Sequence, residues 1–175
     1  MRWGLRRQGR GTIGTALVMS ILVFASSSSA QTTSPLDIKT FTASPEIAAA
    51  LAKAKAERKG DAPVVVEPIL SLPPYRVNLE YRPGTSPAMV HEKDAEMMYV
   101  LDGAGTIVTR GTLVDEKRTN EANRSGSTIS GGQPQAISKG DLIIIPENTP
   151  HQVTPGPGGP ITIMSVHMPR PTNWP

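Results

Sequence analysis

The stretch that decides the fold is Met89–Gly103, MVHEKDAEMMYVLDG. It sets His91 and Glu96 on either side of a four-residue polar turn, EKDA, and then runs into a strand-like segment closed by Asp102-Gly103, a hairpin signal. A second stretch, Gly140–His151 (GDLIIIPENTPH), supplies another histidine just after an apolar strand. A hairpin that turns His91 and Glu96 toward one interior face, met there by a strand end carrying His151, is enough to hold a transition metal. The mixed imidazole and carboxylate donors favour Fe, Mn, Zn, Ni or Cu over Ca or Mg.

Outward from this core the chain reads as many short strands. Tyr75–Arg82 alternates, with Tyr75, Val77, Leu79 and Tyr81 on one face and Arg76, Asn78, Glu80 and Arg82 on the other. Val64–Leu72 is β-branched and broken by Pro68, which suits an edge strand or a bulge. The run LIII (Leu142–Ile145) is apolar on both faces and reads as a central strand, whereas residues 115–132 are polar throughout and read as an exposed loop. Ile161–Met168 is the last clear strand. Ahead of the strands lies one helix, with Ser44 as the expected N-cap, Pro45 and Glu46 in the first turn and Gly60 as the stop. Its apolar stripe (Ile47, Ala50, Leu51, Ala54) is narrow, as expected of a helix lying on a domain surface. One helix followed by eight or nine short strands predicts an all-β sandwich or barrel.

The first thirty residues read as a leader. Arg2, Arg6, Arg7 and Arg10 precede an apolar run, Ala16–Ala25, that is too short to span a bilayer, and Ser28 and Ala30 are small residues ahead of a cut before Gln31. The expected organisation is a cleaved signal peptide at 1–30, an arm and helix at 31–61, a β-barrel at 62–168 and a proline-rich tail at 169–175. The protein is then expected in the periplasm or secreted, with no stable membrane anchor. The whole chain has 18 basic and 15 acidic residues. Four arginines and no acid fall within 1–30, which leaves 14 basic against 15 acidic and removes the case for a nucleic-acid partner. With no cysteine, thiolate metal sites, disulfides and thiol nucleophiles are excluded together, and imidazole chemistry rests on His91, His151 and His167.

These stretches resemble the two sequence motifs of the cupin superfamily. Its first motif is a glycine, a His-x-His pair, a glutamate three or four residues on, and a glycine six residues beyond. Here Gly84 precedes, His91 falls on the second histidine, and Glu96 and Gly103 follow. In the second motif Gly140, Pro146 and His151 are in register. The resemblance covers about residues 62–168 and implies a jelly-roll β-barrel with a metal held by His91, Glu96 and His151.

The sequence departs from the pattern at four points. Met89 stands where the family has its first histidine, and Asn148 stands for a glycine. Pro155 stands for the final asparagine, and the spacing from Gly84 is one residue short. Met89 leaves three alternatives open: a filler beside a three-ligand metal, a thioether ligand for a soft ion, or a pocket that has lost its metal and binds an organic ligand. Candidates for an additional ligand or for a hydrogen-bond partner of the ligands are Met89, Tyr99, Gln152 and His167. The functions implied are a metal-dependent enzyme of the oxygenase, isomerase or lyase type, a non-catalytic binder of a small molecule, or a structural module with a vestigial site. Pairing of two copies through their sheets is an arrangement the resemblance also implies.

Overall fold

The structure, a computed structural model, describes residues 38–171. The expected leader, most of the arm (31–37) and the end of the tail (172–175) lie outside the described residues. Among the described residues no helix is long and apolar enough to cross a membrane.

Helix α1 (Ser44–Ala56) comes first, followed by β1 (Val65–Leu72), β2 (Tyr75–Arg82), β3 (Ala88–His91) and β4 (Asp94–Asp102). Next are β5 (Ala104–Thr109), β6 (Thr112–Val114), β7 (Lys117–Asn120), β8 (Asn123–Gly126) and β9 (Thr128–Ser130). The chain closes with β10 (Gln133–Ser138), β11 (Leu142–Ile145), β12 (His151–Pro155) and β13 (Ile161–Pro169). They form a five-stranded sheet in the order β1-β2-β13-β4-β11 and a six-stranded sheet in the order β10-β5-β12-β3-β8-β7. All pairings are antiparallel, and a small sheet of β6 and β9 stands apart. This is the expected all-β jelly roll with one N-terminal surface helix, in the form of two facing sheets.

The inner faces of the two sheets meet differently at the two ends of the sandwich. At one end Met98, Val100, Ile145, Ile161 and Ile163 of the five-stranded sheet pack with Ile107, Ile137 and Val153 of the six-stranded sheet, all essentially buried. At the other end polar side chains leave a cavity. The alternation of β2 explains how: its apolar face, with Leu79 fully buried, turns outward beneath α1, and its polar face, Asn78, Glu80 and Arg82, lines the cavity. Helix α1 is tied to this outer face by Lys53, which pairs with Glu67 at 2.8 Å, and by Lys55, whose ammonium lies 5.6 Å from the ring centre of Tyr81.

Local details follow sequence chemistry with some differences. The register of β1 on β2 slips between Pro68 and Leu70, and β1 is an edge strand. Asn148 has φ +56°, the left-handed conformation that asparagine tolerates best after glycine. The helix begins one residue earlier than Ser44 as a cap implies: Ala43 is the N-cap, and the Glu46 carboxylate accepts from its N–H at 2.8 Å.

Two expectations are corrected. The run LIII is not central, since β11 forms the edge of the five-stranded sheet with Leu142 and Ile144 64% and 65% exposed. Residues 115–132 are not one loop but hold β7, β8 and β9, with β8 hydrogen-bonded to β3. Their polar side chains are held by ion pairs: Arg124 bridges Glu92 (2.8 Å) and Glu116 (3.0 Å), and Arg118 also reaches Glu92 (2.8 Å).

Candidate metal centre

Each main sheet offers two donors from neighbouring strands. On the five-stranded sheet Glu96 (β4) and His167 (β13) are register partners and share the inner face. On the six-stranded sheet His151 (β12) is the register partner of Met89 (β3), and His91 lies two residues beyond Met89 on the same face. The two pairs face each other across the sandwich.

Their atoms converge on the Glu96 carboxylate. His151 Nε2 lies 3.2 Å and His91 Nε2 3.5 Å from Glu96 Oε2, while His167 Nε2 lies 3.7 Å from Oε1. One donor atom from each of His91, Glu96 and His167 falls within 4.8 Å of the others. Ligand atoms bonded to one ion at about 2.1 Å stand roughly 3.0–3.4 Å apart, close to these separations. Glu96 is 2% exposed, and its Oε2 is buried without a well-aligned hydrogen bond, although two imidazoles approach it. A buried, unsatisfied carboxylate oxygen is costly, and a cation among these donors would remove that cost.

The far side of each ring fixes which nitrogen faces the carboxylate. His91 Nδ1 lies 2.6 Å from Asn123 Oδ1, and His151 Nδ1 lies 3.2 Å from the Thr149 carbonyl. Both partners accept, so each Nδ1 carries the proton and donates it, and in the neutral ring the Nε2 lone pair faces Glu96. Such outer partners are a regular companion of metal-ligating histidines. His167 Nδ1 is buried with no hydrogen bond, and its nearest carboxylate is Asp94 Oδ2 at 3.8 Å.

Charge distribution distinguishes the members. Burial alone would raise the Glu96 carboxyl, but the proximity of His151, His91 and His167 overrides it and holds the group well below the usual carboxylate range. For His91 burial pulls down, yet Glu96 and Asn123 outweigh it, and the pKa is raised above 6.5. His167 is lowered, chiefly by burial, against a partial counterpull from Glu96 and with further lowering from His91 and Arg76.

The structure thus brings His91, Glu96 and His151 together with His167, though not through the expected hairpin: β3 and β4 do not pair, and His91 and Glu96 meet across the two sheets. Met89 lines the same cavity beside them. Tyr99 lies on the outer face of β4, opposite to Glu96, and is partly exposed. Gln152 is buried but serves elsewhere: its amide donates to the carbonyls of Ser86 (2.8 Å) and Ser127 (3.2 Å) and accepts from Thr128 (3.1 Å). Asn123, which orients His91, escaped sequence reading because it sits in a stretch whose composition signals a loop.

The chain matches no family model and no curated protein sequence. Solved structures do resemble it. The BH2720 protein from Bacillus halodurans superposes with a TM-score of 0.50 at 15% identity, over 76% of this chain and 83% of that one. The Cnp3 cupin domain of Schizosaccharomyces pombe gives 0.47 at 8% identity, covering 66% and 72%. KdgF from a Halomonas species gives 0.46 at 15% identity, covering 65% and 87%.

Proposed function

We propose that this chain, which has the cupin fold, is an exported metalloprotein that binds a divalent transition metal through His91, Glu96, His151 and His167 and holds a small organic molecule in the adjoining cavity. The observation that carries this reading is the Glu96 carboxylate, buried and unsatisfied, with imidazole Nε2 atoms at 3.2–3.7 Å from both sheets. His167 restores a three-imidazole, one-carboxylate set that Met89 would otherwise leave one donor short. Fe, Mn, Zn, Ni or Cu suits such donors. Bound there, the metal would polarise an oxygen of the guest as a Lewis acid or, if iron, support dioxygen chemistry.

The chain's own residues do the rest. Asn123 and the Thr149 carbonyl hold two rings in the Nε2-ligating form, and Glu96 supplies the one negative charge. Val64, Val66, Pro87 and Met89 supply the apolar part of the cavity wall against which the guest would pack. A second reading, a non-catalytic binder whose metal site is lost, takes its support from Met89 at the family's first histidine position.

Elemental analysis of untagged protein separates the two. Protein from cells supplied with Fe, Mn, Zn, Ni and Cu should carry close to one metal per chain, and His91→Ala/His151→Ala should carry almost none. Metal-free wild-type protein would leave the second reading standing and end the first.

A further inference from the structure

The cavity, about 350 Å³, has a second polar pole away from the histidines. Arg82 on β2 is 8% exposed. Its Nε donates to Glu80 Oε2 at 2.8 Å, Nη2 reaches the same oxygen at 2.7 Å, and Nη1 donates to Ser86 Oγ at 2.8 Å. Glu80 is satisfied on its other side by the Ser165 hydroxyl, at 2.7 Å. A guanidinium has five N–H donors, so three are committed and one on each terminal nitrogen is not. Asn78, which also lines the cavity, has no side-chain hydrogen bond to any described residue.

Two features define what this pole would accept. The first is charge: Arg82 is already neutralised by Glu80 at van der Waals range, so the pole offers hydrogen-bond donors without net charge. Another carboxylate would sit beside Glu80 in a poorly solvated wall, where like charges repel. The second is distance. Ser165 lies two residues from His167 on the same face of β13, about 7 Å along the strand. Asn78 is the register partner of Ser165 and so stands about that far from the level of His167, while the Arg82 guanidinium, on the far side of the Glu80 carboxylate, stands farther still.

We infer that the cavity takes a two-ended guest: an anionic, metal-binding oxygen group at the histidine end and, about 7 Å or more away, an uncharged hydrogen-bond acceptor such as a carboxamide, ketone or hydroxyl received by Asn78 and, beyond it, Arg82. This inference rests on the metal site proposed above and assigns the guest's chemical class. Three neutral histidines, one carboxylate and a divalent ion sum to a single positive charge, which one anionic group at that end cancels. The apolar walls between the poles suit a hydrocarbon spacer.

The test uses hydroxamates as metal-binding probes of one chain length, ending in a carboxamide, a carboxylate or an isopropyl group. Metal content is measured on the same sample before calorimetric titration. The carboxamide should bind about tenfold tighter than its isopropyl isostere, the size of one added hydrogen-bonded contact to a charged donor, and tighter than the carboxylate. In Asn78→Val, and in Arg82→Lys, which keeps the charge opposite Glu80 but loses the planar fork, that preference should shrink while isopropyl binding is unchanged. A metal-loaded protein that ranks the three probes equally, or prefers the carboxylate, overturns this inference and leaves the metal site intact. A protein that takes up no metal overturns the proposed function and this inference with it.

Discussion

At the scale of single residues, the proton on His91 decides how the site meets a metal. Its raised pKa means that the metal-free ring, beside Glu96, keeps its proton to higher pH than a free imidazole does, while the lowered His167 gives its proton up sooner. A metal must displace the His91 proton, so affinity should climb as the pH rises through and beyond 6.5 and fall below it. Calorimetry at pH 7 in two buffers of different ionisation enthalpy should register proton release, which should shrink as the pH is raised further. Asn123→Ala removes the acceptor that orients His91, and metal affinity should drop about 10–100-fold without loss of fold. Thermal melts of the metal-free variant and wild type should nearly coincide. The residue-level reading from sequence was strong where chemistry is rare and weak where it is common. Histidines are only three in number, so each could be weighed. Asn123 is one polar residue in a polar run, and only its partner gives it meaning.

At the scale of elements, amphipathic pattern reported periodicity reliably but not direction. The alternation of Tyr75–Arg82 is real, yet its charged face turns inward, because the cavity accepts it and α1 covers the apolar face. The same ambiguity governs Leu142–Ile145, where a run apolar on both faces sits at an edge. Only one face of it meets the core, through Ile145, which is 2% exposed. Replacing Ile145 with alanine should cost about 2–5 kcal/mol in urea unfolding, whereas Ile144→Thr should change stability by no more than about 0.5 kcal/mol. Polar residues 115–132 mislead in the other direction: composition predicts a loop, but backbone pairing to β3 and the Arg124 ion pairs hold strands, one of which turns Asn123 toward His91. Asp102-Gly103 does turn the chain, but from one sheet to the other and not within the expected hairpin. Gly103 has φ +84°, and a Cβ there would lie 2.5 Å from the Pro160 carbonyl oxygen. Gly103→Ala is thus both strained and obstructed, and a loss of more than about 1 kcal/mol is expected.

At the scale of the whole molecule, the donors couple the two sheets. His91 and His151 come from one sheet and Glu96 and His167 from the other, so a bound ion would join them much as a cross-link does. Metal at a hundredfold excess over its dissociation constant should add about 2.7 kcal/mol to folding stability, read as a rise in melting temperature. His91→Ala and His167→Ala should each diminish that rise, though the mutated residues stand on opposite sheets. The fold class was legible because strand-length apolar runs, turns and two spaced motifs agreed. His167 was legible only as a candidate, since it lies outside both motifs and reaches Glu96 only through the pairing of β13 with β4.

The place of β13 has a consequence for when the protein can exist at all. It is the last strand among the described residues, yet it lies in the middle of its sheet, between β2 and β4. A chain leaving the ribosome from its N-terminus therefore has a gap at the centre of that sheet until Ile161–Pro169 has emerged, and no His167 to offer. Folding must wait on contacts between distant parts of the chain, which are slow to form. On the proposed metal site, uptake of an ion by the full donor set can begin only once β13 is in place.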